Sequence, residues 1–301
     1  MDITVSKVSG NTWCIEMPNV MIPYYRLNTH EIILFDSGCS RKGVLGEWLK
    51  EHDLKVRAIL NTHNHWDHVS ENHALRRRDG AKIHMPKIEA ALMASPLTFK
   101  VGSGGIYAEI EPLYESLCFP VDVEIPTQDC EIEVCGVPFQ VIQTPGHSAG
   151  HVVYITPDHV MCVGDALMSE SMLKVSKISY AVSHEVDLKS KQKLRNYPCD
   201  AYILSHKSIE TSIDRLIDEN INFVQQRAEE ILRIVEHPIS MEEIRRIAWK
   251  RFRLREGVYF KNLEAGNMIE ALVEYLVSQG KLECRYEDGV DYYAKSKGRS
   301  A

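Results

Sequence analysis

Several features are missing from this 301-residue chain, and each absence removes a class of protein. No run of ~18 apolar residues occurs, so no membrane span is expected. The opening residues Met1-Asp2-Ile3-Thr4-Val5 lack a basic region followed by an apolar stretch, so no secretory signal is expected. The eight cysteines contain no Cys-x-x-Cys pair, and Cys39, Cys130, Cys135 and Cys162 lie in or beside apolar strand-like runs. Reduced, buried thiols in a cytosolic protein without a disulfide framework are the expectation. A surplus of positive charge is also missing: 35 Lys plus Arg stand against 42 Asp plus Glu, a net charge of −7. That argues against a protein that coats nucleic acid uniformly. Hydrophobic residues at 44% and charged residues at 26% are ordinary for a soluble globular protein, and the length fits one or two domains.

What is present is a dense cluster of metal-capable side chains. Thr62-His63-Asn64-His65-Trp66-Asp67-His68 follows the short apolar run Ala58-Ile59-Leu60, which reads as a buried strand. On the loop leaving that strand, His63 and His65 point the same way and can share one ion, while Asp67 and His68 can reach a second. Imidazole with carboxylate suits zinc, iron or manganese, and the mixture alone does not choose between them.

The first two hundred residues read as an internal duplication. A hairpin turning at Asn28-Thr29-His30 ends in Phe35-Asp36; a second, turning at Pro157-Asp158-His159, ends in Gly164-Asp165. A helix (residues 42–52) and a strand (56–60) then deliver His63. In the second half, a helix (183–194) and the strand Ala201-Tyr202-Ile203-Leu204 deliver His206. Thr144-Pro145-Gly146-His147 follows a further pair of strands turned at Gly136. Two β-rich halves of this kind can face one another as a four-layer αββα sandwich with ligands at the shared edge. Residues 95–126, with Gly102-Ser103-Gly104-Gly105 at their centre, read as irregular and as a cover over the site or a plain surface insertion.

These residues resemble the metallo-β-lactamase superfamily: Asp36 after a strand, the His-x-His-x-Asp-His cluster, Thr-Pro-Gly-His, Gly164-Asp165 and His206, in that order over residues 1–207. The resemblance implies that His63, His65 and His147 hold one divalent ion, that Asp67, His68 and His206 hold a second, and that Asp165 bridges them. Asp36 would then hold a ligand histidine in place. Two such ions ~3.5–4 Å apart clamp a hydroxide and stabilise an oxyanion, with Asp67 and Asp165 at the centre of the chemistry. His151 is expected to be a structural hydrogen-bonder. His30, His52, His84, His159, His184 and His237 are expected at the surface or in turns. The stretch Val69-Ser70-Glu71-Asn72-His73 departs from the glycines that often follow the family's cluster, and Leu204-Ser205-His206-Lys207 departs from its last motif.

The pattern changes after residue 207. Residues 208–236 carry long helical periodicity, and Ser240-Met241-Glu242-Glu243 signals a helix start. A helix over residues 263–279 and a hairpin turning at Glu287-Asp288-Gly289 complete a winged-helix-like module over residues 237–301. Arg245, Arg246, Lys250, Arg251, Arg253 and Arg255 fall within eleven residues without an acid. Arg246, Arg251 and Arg255 are therefore candidate RNA contacts, against the plainer reading of a solvated helix face. A catalytic domain joined to such a module is similar to the β-lactamase-like protein 2 family of endoribonucleases, and to bacterial relatives of glyoxalase II type, which hydrolyse thioesters or esters. The acidic catalytic domain favours a small ester, thioester or lactone over a phosphodiester. A non-enzymatic metal sensor that binds nucleic acid is the third reading.

Overall fold

The computed structural model describes residues 3–18, 20–38, 43–114 and 118–296; Cys39 and its expected burial lie outside the described residues. In chain order the first half runs β1 (Thr4–Ser9), β2 (Thr12–Glu16), β3 (Met21–Arg26), β4 (Glu31–Phe35), α1 (Val44–Glu51), β5 (Lys55–Leu60), α2 (Trp66–Val69), α3 (Asn72–Asp79), β6 (Lys82–Pro86), α4 (Lys87–Leu92), α5 (Pro96–Ser103), α6 (Tyr107–Tyr114) and β7 (Val123–Ile125). Its seven strands pair in sequence order, antiparallel from β1 to β4 and parallel from β4 to β7. The parallel strands are buried on both faces, which is why Ala58, Ile59 and Leu60 form an unbroken apolar run.

The second half runs β8 (Cys130–Val134), β9 (Val137–Gln143), β10 (Val152–Ile155), β11 (Val160–Gly164), α7 (Glu170–Val175), α8 (His184–Lys193), β12 (Ala201–Leu204) and β13 (Ser208–Glu210). Here β10 and β11 pair antiparallel and β11 and β12 parallel, repeating the relation of β3, β4 and β5. The duplication expected from the sequence is thus a duplication of strand topology. Between the two sheets, Phe139 meets Tyr25 and Phe35 edge-on with ring centroids 5.6 Å apart, and Tyr154 packs against Phe35. Leu45, Leu49 and Leu75 cover the outer face of the first sheet, and Leu194, Leu216 and Ile217 that of the second. The layers are therefore helix, sheet, sheet and helix.

The C-terminal part comprises α9 (Asp214–Ile234), β14 (Ile239–Ser240), α10 (Met241–Arg251), α11 (Tyr259–Ser278), β15 (Leu282–Glu287) and β16 (Val290–Lys295). Its three strands form a sheet in the order β14-β16-β15. The Ser240 hydroxyl accepts from Glu243 N at 3.3 Å, the cap expected of α10. Asp288 and Gly289 both take positive φ (48° and 81°), as a two-residue hairpin turn demands. α9 belongs to two cores at once. Its first turns place Leu216 and Ile217 on the second sheet, and its later turns place Val224, Ala228 and Ile231 against Ile244, Ile269 and Leu272.

Four expectations are corrected. Residues 208–213 are not helical: Ser208–Glu210 pairs with β12 and closes that sheet's edge. Among the described residues of 95–126, two helices, α5 and α6, and strand β7 replace the expected irregular segment. Ser95 starts α5 through a reciprocal cap with Thr98, where Glu or Gln would have been the familiar partner, and Pro112 sits inside α6. Cys135 is exposed in the turn between β8 and β9, and Cys130 is only half-buried. His184 and His84 are buried rather than at the surface.

Candidate metal centre

The strands that end at the shared edge of the two sheets carry the polar residues. β4 ends in Asp36, β5 leads through Asn61 and Thr62 to His63, β11 leads to Asp165, and β12 to His206. His65 caps the single-turn helix α2 in extended conformation, and His68 N donates back to His65 O at 2.9 Å. That turn places Asp67 and His68 beside His63 instead of letting the loop run out into solvent. His147 enters from the loop between β9 and β10. Gly146 takes φ 128°, and its α-carbon lies so close to the backbone of Asp187 that a side chain there has no room.

The seven residues expected from the sequence come together as two adjoining groups: His63, His65, His147 and Asp165, and Asp67, His68 and His206, with ligand atoms within 4.8 Å of one another in each. Asp165 stands between them. Its Oδ2 is 3.4 Å from His147 Nε2, while its Oδ1 is 3.4 Å from His68 Nε2 and 3.5 Å from His206 Nε2. Asp67 Oδ2 lies 3.6 Å from His206 Nε2.

Donor chemistry tests whether this cluster suits metal ions. His63 Nε2, His68 Nε2 and Asp165 Oδ1 are buried and make no hydrogen bond. Buried polar atoms without partners each cost on the order of 1–3 kcal/mol, so three facing one another call for a cation. Mixed imidazole and carboxylate donors fit zinc, iron or manganese. Burial and neighbouring imidazoles hold His63 well below the ordinary histidine range, and burial lowers His65 and His147 too. The direction of these shifts favours the neutral rings that ligation requires. At His68, burial works against the charged form, but the carboxylates of Asp165, Asp36 and Asp67 outweigh it and raise the pKa. At Asp165, burial opposes ionisation and is overcome by His68 and His206, so the carboxyl stays well below its usual range.

The supporting residues fix how these side chains point. Asp36, at φ 62°, accepts from His68 Nδ1 at 2.8 Å, from Thr62 N at 2.8 Å and from the Thr62 hydroxyl at 2.7 Å. This sets the His68 tautomer and turns its Nε2 toward Asp165. His151 behaves as a hydrogen-bonder: Nδ1 meets the Thr144 hydroxyl at 2.8 Å, and Nε2 accepts from Asp165 N at 3.0 Å. The close approach needs Gly164, where an added Cβ would lie 2.6 Å from His151 Nε2 at φ 57°. Gly164→Ala is accordingly expected to cost about 1–3 kcal/mol, read as a lower urea midpoint.

Glu89 escaped the sequence reading. It is fully buried on α4 and accepts from Asn64 N at 3.1 Å, Ser148 Oγ at 2.8 Å and Gly150 N at 2.5 Å. The loops carrying His63 and His147 are thereby tied to one carboxylate. Burial pushes Glu89 up, while these three donors pull it back.

Residues 21–206 match the family model for the metallo-beta-lactamase superfamily. The chain belongs to this superfamily. A probable metallo-hydrolase of Streptococcus pyogenes serotype M6 is 28% identical over 151 residues, covering 50% of this chain and 62% of that protein. The hydroxyacylglutathione hydrolase of Halorhodospira halophila is 27% identical over 161 residues, covering 53% of this chain and 50% of that one. The chain thus matches less than two thirds of either relative's length. The crystal structure of a metallo-beta-lactamase family protein from Thermus thermophilus superposes with a TM-score of 0.70 at 22% identity, over 94% of this chain and 98% of that one.

In this superfamily member a cavity of about 570 Å³ opens onto His65, Asp67, His147, Asp165 and His206. Phe99, Gly102 and Ser103 of α5 line it, so that part of residues 95–126 does cover the site. α11 lines it too, through Phe260, Leu263, Glu264 and Met268. Asn267 Nδ2 donates to Ser103 O at 3.2 Å, and Ile106 N donates to the Tyr259 hydroxyl at 2.7 Å, clasping α11 to α5. Tyr180 stands with its ring 5.0 Å from His65 and 5.3 Å from His147, and burial raises its hydroxyl to about 12. His73 is exposed on α3 and lies outside the cavity wall. Arg246, Arg251 and Arg255 are exposed on and just beyond α10, which contributes nothing to the described wall. Among the described residues no helix is long and apolar enough to cross a membrane.

Proposed function

We propose that this chain is a dinuclear metal-dependent hydrolase of a small ester, thioester or lactone. The supporting observation is the convergence of seven donor side chains around buried atoms that make no hydrogen bond among the described residues. His63, His65 and His147 would hold one divalent ion, Asp67, His68 and His206 the other, and Asp165 both. Zinc comes first, with iron or manganese as alternatives. When bound, the pair supplies a nucleophilic water at neutral pH and Lewis acidity toward the carbonyl. The chain's own residues do the rest. Asp36 orients His68, Glu89 fixes the spacing of the two loops, and α5 with α11 shields the cavity from bulk water.

Residues 1–207 form the catalytic unit in this reading, 208–236 the connection, and 237–301 a winged-helix-like module in a cytosolic enzyme. The activity for which the Halorhodospira relative is named, hydrolysis of an acylglutathione, favours acyl over phosphodiester chemistry. Elemental analysis of metal-loaded protein is expected to give two ions per chain, with turnover of chromogenic esters or thioesters above that of a bis-aryl phosphodiester. One ion per chain, or preference for the phosphodiester, would overturn the reading.

Endoribonuclease action is the second reading, and the exposed basic face of α10 favours it. Arg251 is already paired with Glu230 at 3.3 Å, and Arg245 with Glu270. Replacing Arg246, Arg251 and Arg255 by Ala is expected to leave ester hydrolysis unchanged. RNA binding by the unmutated protein is expected to be negligible, and salt-sensitive RNA binding would restore the second reading.

A further inference from the structure

The lining of the cavity says more about the substrate than the metal ligands do. Resting on the hydrolase reading above, we infer that the cavity receives an uncharged, apolar acyl chain, and that Met172 of α7 and Met268 of α11 set the length it accepts.

The first argument is charge. Apart from the histidines of the cluster, the described lining residues include two cations, Lys191 and Lys261. Both are already paired. Lys191 Nζ lies 2.6 and 2.7 Å from the two carboxylate oxygens of Asp187, and both side chains are buried. Lys261 Nζ lies 2.8 Å from Glu264 Oε2. A substrate whose recognised part carries carboxylates or phosphates needs cations or N–H groups with free capacity. An anionic chain reaching Lys191 would have to break a buried pair, at a cost of several kcal/mol. It would also meet Lys261, whose side chain is 57% exposed, already facing the Glu264 carboxylate.

The second argument is surface chemistry. Leu92, Phe99, Met168, Met172, Val224 and Met268 line the interior. Ile88 and Val182 line it as well while remaining 40% and 50% exposed, so the apolar lining continues out to the mouth. The polar side chains nearby are largely committed. Asn220 donates to Met168 O and Leu216 O and accepts from Met168 N, Ser148 donates to Glu89, and Asn267 donates to Ser103 O. Ser179 Oγ, buried without a hydrogen-bond partner among the described residues, offers one hydrogen bond to the polar end of the substrate. A volume of about 570 Å³ falls within the range of small-molecule sites and exceeds what an acetyl group fills. Methionine walls adapt to unbranched chains of differing length, which suits an aliphatic acyl group.

Two measurements on metal-loaded protein test this. Calorimetry with the free acids from acetate to decanoate reads the acyl site without turnover, and a matched p-nitrophenyl ester series reads hydrolysis. Affinity and kcat/KM are each expected to rise about three- to fourfold per methylene until the cavity is full. Met268→Trp and Met172→Trp should each move the optimum, in both affinity and kcat/KM, to shorter chains. Either variant suffices if the other fails to fold. Rising affinity without hydrolysis of any acyl reporter would keep the acyl site and sink the hydrolase reading. Hydrolysis with no dependence on chain length, or with preference for a succinyl over a butyryl ester, would sink the acyl site and keep the hydrolase. Absence of both binding and hydrolysis would overturn both.

Discussion

Replacing Asp165 by Asn is expected to lower hydrolysis of an acyl reporter by more than about 100-fold, beyond the upper range for residues that merely orient a ligand. The carboxylate is within 3.5 Å of three imidazole nitrogens, His147 Nε2, His68 Nε2 and His206 Nε2. Among the described residues, no other side chain of the cluster faces both groups in this way. Asparagine keeps the shape but removes the negative charge, and its N–H₂ end has no lone pair to offer a cation held between those nitrogens. The fold should survive, because Asp165 is anchored through its backbone N–H to His151 and that bond does not involve the carboxylate. Circular dichroism should therefore match the unmutated protein, while metal content and kcat both fall. Near-native turnover with two ions per chain would show that Asp165 does not link the two groups.

Glu89→Ala is expected to be the most destabilising single change near the site. It strips the acceptor from Asn64 N, Gly150 N and the Ser148 hydroxyl, all of them on buried residues. Each orphaned donor costs on the order of 1–3 kcal/mol, so a loss of roughly 3 kcal/mol or more is expected even after relaxation. Glu89→Gln should recover part of it. The carboxamide oxygen can serve Ser148 and Gly150, but its N–H₂ then meets the N–H of Asn64. Metal affinity should fall with stability, because the loops bearing His63 and His147 lose their common tie. An unchanged urea midpoint for Glu89→Ala would mean that the two loops hold their spacing without it.

The ligands were legible because they are local: His63, His65, Asp67 and His68 fall within six residues, and His147, Asp165 and His206 each follow a recognisable apolar strand. Glu89 was not legible. On a short amphipathic helix it reads as a solvated acid, and only the approach of Gly150, whose added Cβ would come within 2.9 Å of Ile88, reveals where it points. His184 misled for a similar reason. Ser183-His184-Glu185 looks like an exposed helix start, yet Val182 N and Ser183 N both donate to Gly146 O, which pins the segment beneath the His147 loop and buries the ring. The role of α11 was half legible: periodicity shows that Ile269, Leu272 and Leu276 must be covered, but not that Phe260 and Leu263 reach the cavity. Long-range contact carries no periodic signature.

The duplicated topology divides the donors between the two halves, with His63, His65, Asp67 and His68 from the first and His147, Asp165 and His206 from the second. Neither half can complete either group with its own residues once Asp165 is counted. Any ion held there would work as a removable staple between the two halves, closing a chain loop that runs from residue 63 to residue 206. Affinity for the ion and cohesion of the halves would then become one free energy, so a change that weakens either would weaken the other.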